Sequence, residues 1–469
     1  MRFLNISFIS FIWILFFPFV SFSSVDTLVN RCSIPHEILT IGILSDAQFP
    51  ENDEFLSVGH FGVVMNGPKH VYRALSDLKQ RKVDLIVMNG DMVNAASGGN
   101  AYRTYNLLLD NVFGKERKYM PPLIYPMGNH EFYGEDAENR FMSSVGLPLN
   151  THYVLNGIHI ISISCSDSNG GYSQSRLEYL KYHLSVAHKE NPKMPILVFS
   201  HMPFNIGGFF GGQWDSPQAN DMYDVLSAYP QVVYFCGHSH YPLFDDLCVV
   251  QHDFTIINTG TTSYFDLDWN VLKDGKTLDL QRANEYVNPD LIGIYCQADI
   301  PGRDDVNQGW IMDIDTKSGK LVLQRMNYNL SRPFGRKVYL EKLYLKDFSY
   351  HPDKHRLAAL CPHFGADASI SLSELGMGRV DICFDAALPD VLVKHYILHV
   401  TGPDGKKQKV RFLAKGYYGG FDFPYKEYVC FKGCKEEGTY LFQIKAVSCL
   451  GKESEWLEGC LTIRSAVQK

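Results

Sequence analysis

Val232-Val233-Tyr234-Phe235-Cys236-Gly237-His238-Ser239-His240 decides the reading of the fold. Five apolar residues in a row, rich in β-branched and aromatic types, predict a short strand buried on both faces. A glycine ends it, and two histidines follow. The same plan recurs upstream. Ile38-Leu39-Thr40-Ile41-Gly42-Ile43-Leu44 runs into Asp46-Ala47-Gln48. Val83-Asp84-Leu85-Ile86-Val87-Met88 runs into Gly90-Asp91, and Leu123-Ile124-Tyr125-Pro126-Met127 into Gly128-Asn129-His130-Glu131. Pro195-Ile196-Leu197-Val198-Phe199-Ser200 ends at His201. Helical patterns lie between, at Lys69 to Arg81 (Val71, Leu75, Leu78) and near Ser173 to His188. Apolar strands alternating with helices predict an α/β sheet. In such sheets ligands collect at the carboxyl ends of the strands, so the five polar clusters point to one shared site.

The donors define the chemistry. Asp46, Gln48, Asp91, Asn129, His201, His238 and His240 supply oxygen and imidazole ligands and no thiolate, which suits divalent ions of hard or borderline character. Seven donors are enough for two ions that share one carboxylate. Two cations about 4 Å apart repel strongly, and a bridging carboxylate holds them together. Such a pair lowers the pKa of bound water, positions it and neutralises phosphoryl oxygens. Gly90, Gly128 and Gly237 let the backbone turn beside the ions.

The order D-x-(H/Q), G-D, G-N-H-E, H, G-H-x-H resembles that of the calcineurin-like metallophosphoesterases, from about Glu37 to Asn329. The resemblance implies a two-sheet α/β/β/α sandwich. It implies that Asp46, Gln48, Asp91 and His240 hold a first metal, that Asp91, Asn129, His201 and His238 hold a second, and that Asp91 bridges. His130 would face the phosphoryl group, donating a proton to the leaving oxygen or stabilising charge. Glu131 would stand behind the ligands and orient His130. Gln48 replaces the commoner His. In this it is similar to the manganese-dependent ADP-ribose/CDP-alcohol diphosphatases, which share G-N-H-E-F-Y as in Gly128 to Tyr133. That favours Mn among Mn, Fe and Zn, and a phosphodiester or pyrophosphate over a phosphomonoester. Asn94 stands where purple acid phosphatases carry a tyrosine, so Fe(III)–tyrosinate chemistry is not expected.

Length and composition set the remaining bounds. The chain has 469 residues, 45% hydrophobic and 20% charged, with a net charge of −7. It is therefore a globular chain of more than one domain, with no basic block for nucleic-acid recognition. Arg2, the apolar run Phe8 to Val20 and Ser21-Phe22-Ser23-Ser24 read as a signal peptide over residues 1–24. The run is short for a span and carries Pro18, so no membrane span is expected after cleavage, the alternative being an uncleaved anchor. The expected location is secreted, periplasmic or extracellular. Six of the eleven cysteines (Cys361, Cys383, Cys430, Cys434, Cys449 and Cys460) cluster near the C-terminus, and in an exported chain they predict disulfides. Cys165 and Cys236 read as buried thiols.

From about Val338 short alternating runs and turn residues take over, predicting an all-β sandwich over 338–466 after an α/β domain over 37–335. Tyr440 to Trp456 resembles a fibronectin type III-like module. All expected ligands precede Tyr241, so the sandwich is predicted to be dispensable for chemistry and available to bind a surface or partner. His60, His70, His152, His183, His188 and His252 read as surface or core histidines, and Asp53 and Glu54 as a solvated loop. Gly207 to Trp214 reads as a loop that covers the metals or simply lies on the surface. Asn258 to Ser263 reads as a structural return strand and turn. The expected function is that of a dinuclear metal-dependent phosphoesterase acting on a small phosphorylated substrate. A different class, a non-catalytic extracellular binding protein on the same scaffold, is the alternative.

Overall fold

The computed structural model describes residues 36–51, 66–95, 99–206, 219–265, 305–418 and 423–464. The expected signal peptide, the loop Gly207 to Trp214, Asp53, Glu54 and His60 lie outside them. The first twelve strands are β1 Ile38–Leu44, β2 Leu85–Met88, β3 Leu123–Ile124, β4 Asn150–Leu155, β5 Ile158–Ile163, β6 Ile196–Ser200, β7 Val232–Cys236, β8 Val249–Gln251, β9 Thr255–Asn258, β10 Gln308–Asp315, β11 Leu321–Asn327 and β12 Arg332–Leu340. They form two six-stranded sheets, ordered β12-β11-β10-β1-β2-β3 and β4-β5-β6-β7-β9-β8. β1, β2 and β3 run parallel, as do β5, β6, β7 and β9, so the polar clusters leave from matching ends.

Successive side chains of a strand point to opposite faces, and both faces here are apolar. Leu39, Ile41, Ile43, Leu85 and Val87 meet Leu197, Phe199, Val233 and Phe235 between the sheets. The alternate residues Leu44, Ile86 and Met88 face the helices α1 Gly67–Arg81, α2 Asn100–Phe113 and α3 Ala137–Val145. Val198, Val232, Tyr234 and Cys236 face α4 Gln174–Glu190 and α5 Ala219–Ser227. The result is the four-layer α/β/β/α arrangement that continuous apolar strands require. Each fully buried Leu, Ile or Phe contributes roughly 1.5–3 kcal/mol.

The all-β region comprises β13 Ile370–Gly376, β14 Arg379–Asp385, β15 Val393–Thr401, β16 Lys407–Leu413, β17 Lys426–Phe431, β18 Gly438–Ser448 and β19 Leu457–Ile463. They make a three-stranded sheet, β13-β14-β17, and a four-stranded sheet, β16-β15-β18-β19, with one core between them. Two expectations need correction. The division at 335–338 cuts β12, which pairs with β11 from Arg332 through to Leu340. The nine described cysteines, including all six near the C-terminus, are free thiols, with no disulfide among the described residues. Cys383 and Cys430 sit on paired strands, but Cys383 faces Tyr428 and Cys430 faces Asp381 across the ladder.

The core histidines are bonded. His70 lies 2.9 Å from the Thr262 carbonyl and 2.8 Å from Asp305, and His188 lies 2.9 Å from Gln231. His152, on β4, bridges His183 and His159 at 2.8 Å each, and His159 lies 3.2 Å from Glu190. Burial lowers His152 to about 3, with His183 and His159 adding, and lowers His183 to about 4. An unfolded histidine takes up its proton near pH 6.5 and these folded ones do not. Their stabilisation is therefore full above pH 6.5 and is lost as pH falls from there toward 3. In excess chelator, wild type should lose roughly 1–2 kcal/mol more than His183→Gln between pH 7 and 4.5, by denaturant unfolding. Equal losses would exclude the triad as the acid-labile element.

Candidate metal centre

The loops after β1 and β2 are tied to each other: Asp46 N donates to Gly90 O, Gln48 N to Asp91 O (2.9 Å) and Phe49 N to Met92 O. Both adopt unusual backbone. Asp46, Gln48, Asp91, His238 and His240 all have positive φ, between 49° and 68°. Left-handed backbone at a non-glycine residue costs on the order of 1–3 kcal/mol, and such strain gathers at functional sites. Five of the seven expected ligands carry it. Of the three glycines, only Gly90 needs positive φ (84°). Gly128 and Gly237 are needed for space, since a Cβ would collide with the Asp91 carboxylate in one case and with Ser45 and Asp46 in the other.

The structure brings Asp91, His201 and His238 together, with one donor atom of each lying within 4.8 Å of the others. His201 Nδ1–H donates to the Asn89 carbonyl (2.8 Å), which turns Nε2 toward Asp91 Oδ2 at 2.9 Å and Asp46 Oδ1 at 3.7 Å. Four buried atoms there make no well-aligned hydrogen bond in the protein, Asp91 Oδ2, Asn129 Oδ1, His201 Nε2 and His238 Nδ1, although Asp91 Oδ2 and His201 Nε2 face each other as an ion pair at 2.9 Å. They belong to the four residues expected at the second metal. An unpaired buried polar atom costs about 1–3 kcal/mol, so a ligand for this set is energetically called for. A divalent cation fits these donors.

The residues expected at the first metal satisfy one another instead. Gln48 Nε2 donates to His240 Nε2 (3.0 Å), and Gln48 Oε1 accepts from the Tyr264 hydroxyl (3.3 Å). His240 Nδ1–H donates to the Tyr264 carbonyl (3.1 Å), and the two rings stack at 4.1 Å. His240 Nε2 is 3.4 Å from Asp46 Oδ1. Both Asp46 oxygens accept from the His238 backbone N–H, at 3.0 and 3.2 Å.

Burial and charge pull these groups apart. Burial raises Asp46 to about 8, with Asp91 adding and His201 opposing. Burial would also raise Asp91, but His201 and His130 beside it hold it below the carboxylate range. Burial would depress His201, yet Asp91 and Asp46 outweigh it and raise it to about 10. Burial lowers His238 and His240 to about 3, keeping both neutral as metal binding requires. Asp91 and Asp46 raise His201 because this pocket favours positive charge, and a bound cation would have to take the place of the His201 Nε2 proton.

His130 sits at the rim. Its Nδ1–H donates to the Asn94 carbonyl (2.8 Å), its backbone N–H donates to Asp91 Oδ1 (2.9 Å), and its Nε2 is 3.8 Å from Asp91 Oδ2. Glu131 does not orient it. The buried Glu131 carboxylate accepts from the backbone N–H groups of Asp91 (3.0 Å), Met92 (2.9 Å) and Gly128 (2.7 Å) and from the Tyr125 hydroxyl (2.6 Å). It braces the two loops that carry Asp91 and Asn129, and the Asn94 carbonyl holds the His130 ring.

Sequence reasoning missed Asn89 and Tyr264. Asn89 donates to the Ser200 and Phe235 carbonyls, tying both sheets together under His201. A polar residue closing an apolar strand before Gly90-Asp91 was its available signal. Tyr264 had none, lying 24 residues from His240. Ser263 donates to the Asp46 carbonyl, and Thr261 donates to the same oxygen.

A family model described as calcineurin-like phosphoesterase matches residues 39–242. No curated protein matches the chain. Among solved structures the chain is similar to a dimetal phosphatase from Danio rerio, at 12% identity and a TM-score of 0.42, covering 66% of this chain and 100% of that one. It is also similar to a purple acid phosphatase from yellow lupin (Lupinus luteus) seeds, at 13% identity and a TM-score of 0.42, covering 66% of this chain and 55% of that one. With every expected ligand inside the matched segment, residues 39–242 form a calcineurin-like phosphoesterase domain.

Proposed function

We propose that the chain is a secreted dinuclear metal-dependent phosphoesterase followed by a fibronectin type III-like sandwich, and that it hydrolyses a phosphodiester or pyrophosphate bond in preference to a phosphomonoester. The observation that carries this is the set of buried atoms on Asp91, Asn129, His201 and His238 that make no well-aligned hydrogen bond. Asp91, Asn129, His201 and His238 would hold one divalent ion, and Asp46, Gln48, Asp91 and His240 the other. The bound pair would activate water and neutralise phosphoryl oxygens. The protein's own part is to keep His238 and His240 neutral, to point His201 Nε2 inward through Asn89, and to hold the His130 proton at Nδ1 against Asn94. His130 Nε2 then lies on the Asp91 side, 3.8 Å from Oδ2, and in the doubly protonated ring would be the group that gives a proton to the leaving oxygen. Among the described residues no helix is long and apolar enough to cross a membrane. Export rests on residues 1–24, and the substrate preference rests on Gln48.

Two transition metals per chain after loading, with turnover of a chromogenic phosphodiester in added Mn²⁺, is the expected result. A fully loaded protein inert toward phosphodiesters, nucleoside diphosphate sugars and phosphomonoesters would leave the non-catalytic reading standing.

Gln48 sets the order of filling. A metal at the first position displaces the Gln48–His240 and Tyr264–Gln48 hydrogen bonds, each worth about 0.5–1.5 kcal/mol net. Amide oxygen also donates less to a transition metal than imidazole and favours harder ions. The first site should fill last, prefer Mn²⁺ over Zn²⁺, and tighten in Gln48→His. Calorimetric titration of wild type and Gln48→Ala decides this, since unchanged first-site affinity in Gln48→Ala would mean that the amide is no ligand.

A further inference from the structure

We propose that the C-terminal sandwich is a positioning part of the metal centre, holding the two segments that carry His240 and Tyr264. The inference rests on the dinuclear reading. The chain leaving His240 dives at once into the seam between the domains. Leu243 is buried and its N–H donates to Gln308 Oε1 (2.8 Å), and Phe244 stacks on Phe334 at 4.0 Å. Asp245 follows with no exposed surface. One carboxylate oxygen caps the turn 246–248 by accepting from Leu247 N–H. The other accepts from the Tyr417 hydroxyl (2.8 Å) and from Lys394 Nζ (3.4 Å), both in the sandwich. Asp246 N–H donates to Cys449 Sγ at 3.0 Å. Lys394 is on β15, Tyr417 lies just after β16 and Cys449 just after β18, so three separate parts of the sandwich grip two consecutive residues.

The second hold is at Tyr264. Its ring stacks on His240 and its hydroxyl reaches Gln48. The next residue, Phe265, is fully buried in the sandwich core with Tyr396, Phe412 and Tyr417. Adjacent residues thus serve two domains: 264 packs against the first metal position and 265 is anchored in the sandwich. The residues unique to the second position are held differently. Asn129 and His201 follow β3 and β6, His201 is fixed by Asn89 within the α/β layers, and His238, although two residues before His240, has its N–H held by both Asp46 carboxylate oxygens. Loosening the seam should therefore weaken the first metal position and spare the second.

The test is calorimetric Mn²⁺ titration of the full chain after chelator treatment, with thermal unfolding in parallel. Tyr417→Phe keeps the ring in the core and removes the hydroxyl from Asp245. It should weaken the looser Mn²⁺ step roughly tenfold, at the low end of what residues behind metal ligands contribute, and leave the tighter step within about twofold. Lys394→Met keeps the aliphatic stem and carries the test if Tyr417→Phe does not fold. Tyr440→Phe is the control, because that hydroxyl donates to the Glu436 carbonyl inside the sandwich. It should lower the unfolding temperature without moving either step. If Tyr417→Phe or Lys394→Met shifts the unfolding temperature and leaves the ratio of the two steps unchanged, the sandwich is only a structural neighbour and the proposal is overturned. Wild type that binds no Mn²⁺ would instead remove the dinuclear reading, and this inference with it.

Discussion

Asp91→Ala should bind neither metal and lose nearly all hydrolysis. Asp91 is the one residue expected in both ligand sets, and the structure gathers it with His201 and His238. Oδ2 is buried and faces His201 Nε2 at 2.9 Å. Oδ1 accepts from the His130 backbone N–H, which aims the carboxylate. Removing it takes a donor from each ion and leaves the cation-cation repulsion unbridged. The loss should exceed the roughly 10–100-fold in affinity that residues behind the ligands contribute. Folding should survive, because Glu131 grips the Asp91 loop through main-chain N–H groups that alanine keeps. Metal analysis after dialysis reads the outcome. A folded variant that retains two metals per chain would show that Asp91 does not bridge.

His130→Ala should do the opposite, keeping both metals and the fold while kcat falls by about 10²–10⁴-fold, the usual worth of general acid–base catalysis. The side chain and the main chain of His130 have separate jobs. The ring is held by the Asn94 carbonyl at the partly exposed rim. The backbone N–H that aims Asp91 is present in alanine as well. Activity within a few-fold of wild type would remove His130 from the chemistry. Lost metal would make it part of the binding site.

Much of the fold and of the site was legible because it is written locally. An apolar run of four to seven residues rich in β-branched types and ended by a glycine or polar turn reads as a buried strand, and the residue after its last position falls at the end of the sheet. Strand and ligand were therefore readable together in Val232 to His240, Ile38 to Gln48 and Leu85 to Asp91. Gly128 and Gly237 were legible as close neighbours of the ions, although their need is for space and not for a left-handed turn. Glu131 was assigned to the wrong partner because sequence proximity to His130 says nothing of direction. Its carboxylate points away, to N–H groups about forty residues upstream.

By itself the sequence determined that the strands are buried on both faces and offered the seven candidate ligands, because apolar pattern, strand length and donor chemistry are properties of short segments, whereas the pairing of two sheets came from the resemblance alone. Tertiary structure alone decided how those donors are held. The His201 tautomer depends on Asn89, 112 residues away, and the Gln48 amide on Tyr264, 216 residues away. Asp245 depends on Tyr417, 172 residues away, a contact that ties the sandwich to the segment leaving His240. No local pattern encodes such contacts. A buried polar group takes whichever partner the packed layers bring to it, and that partner exists only once the chain has folded.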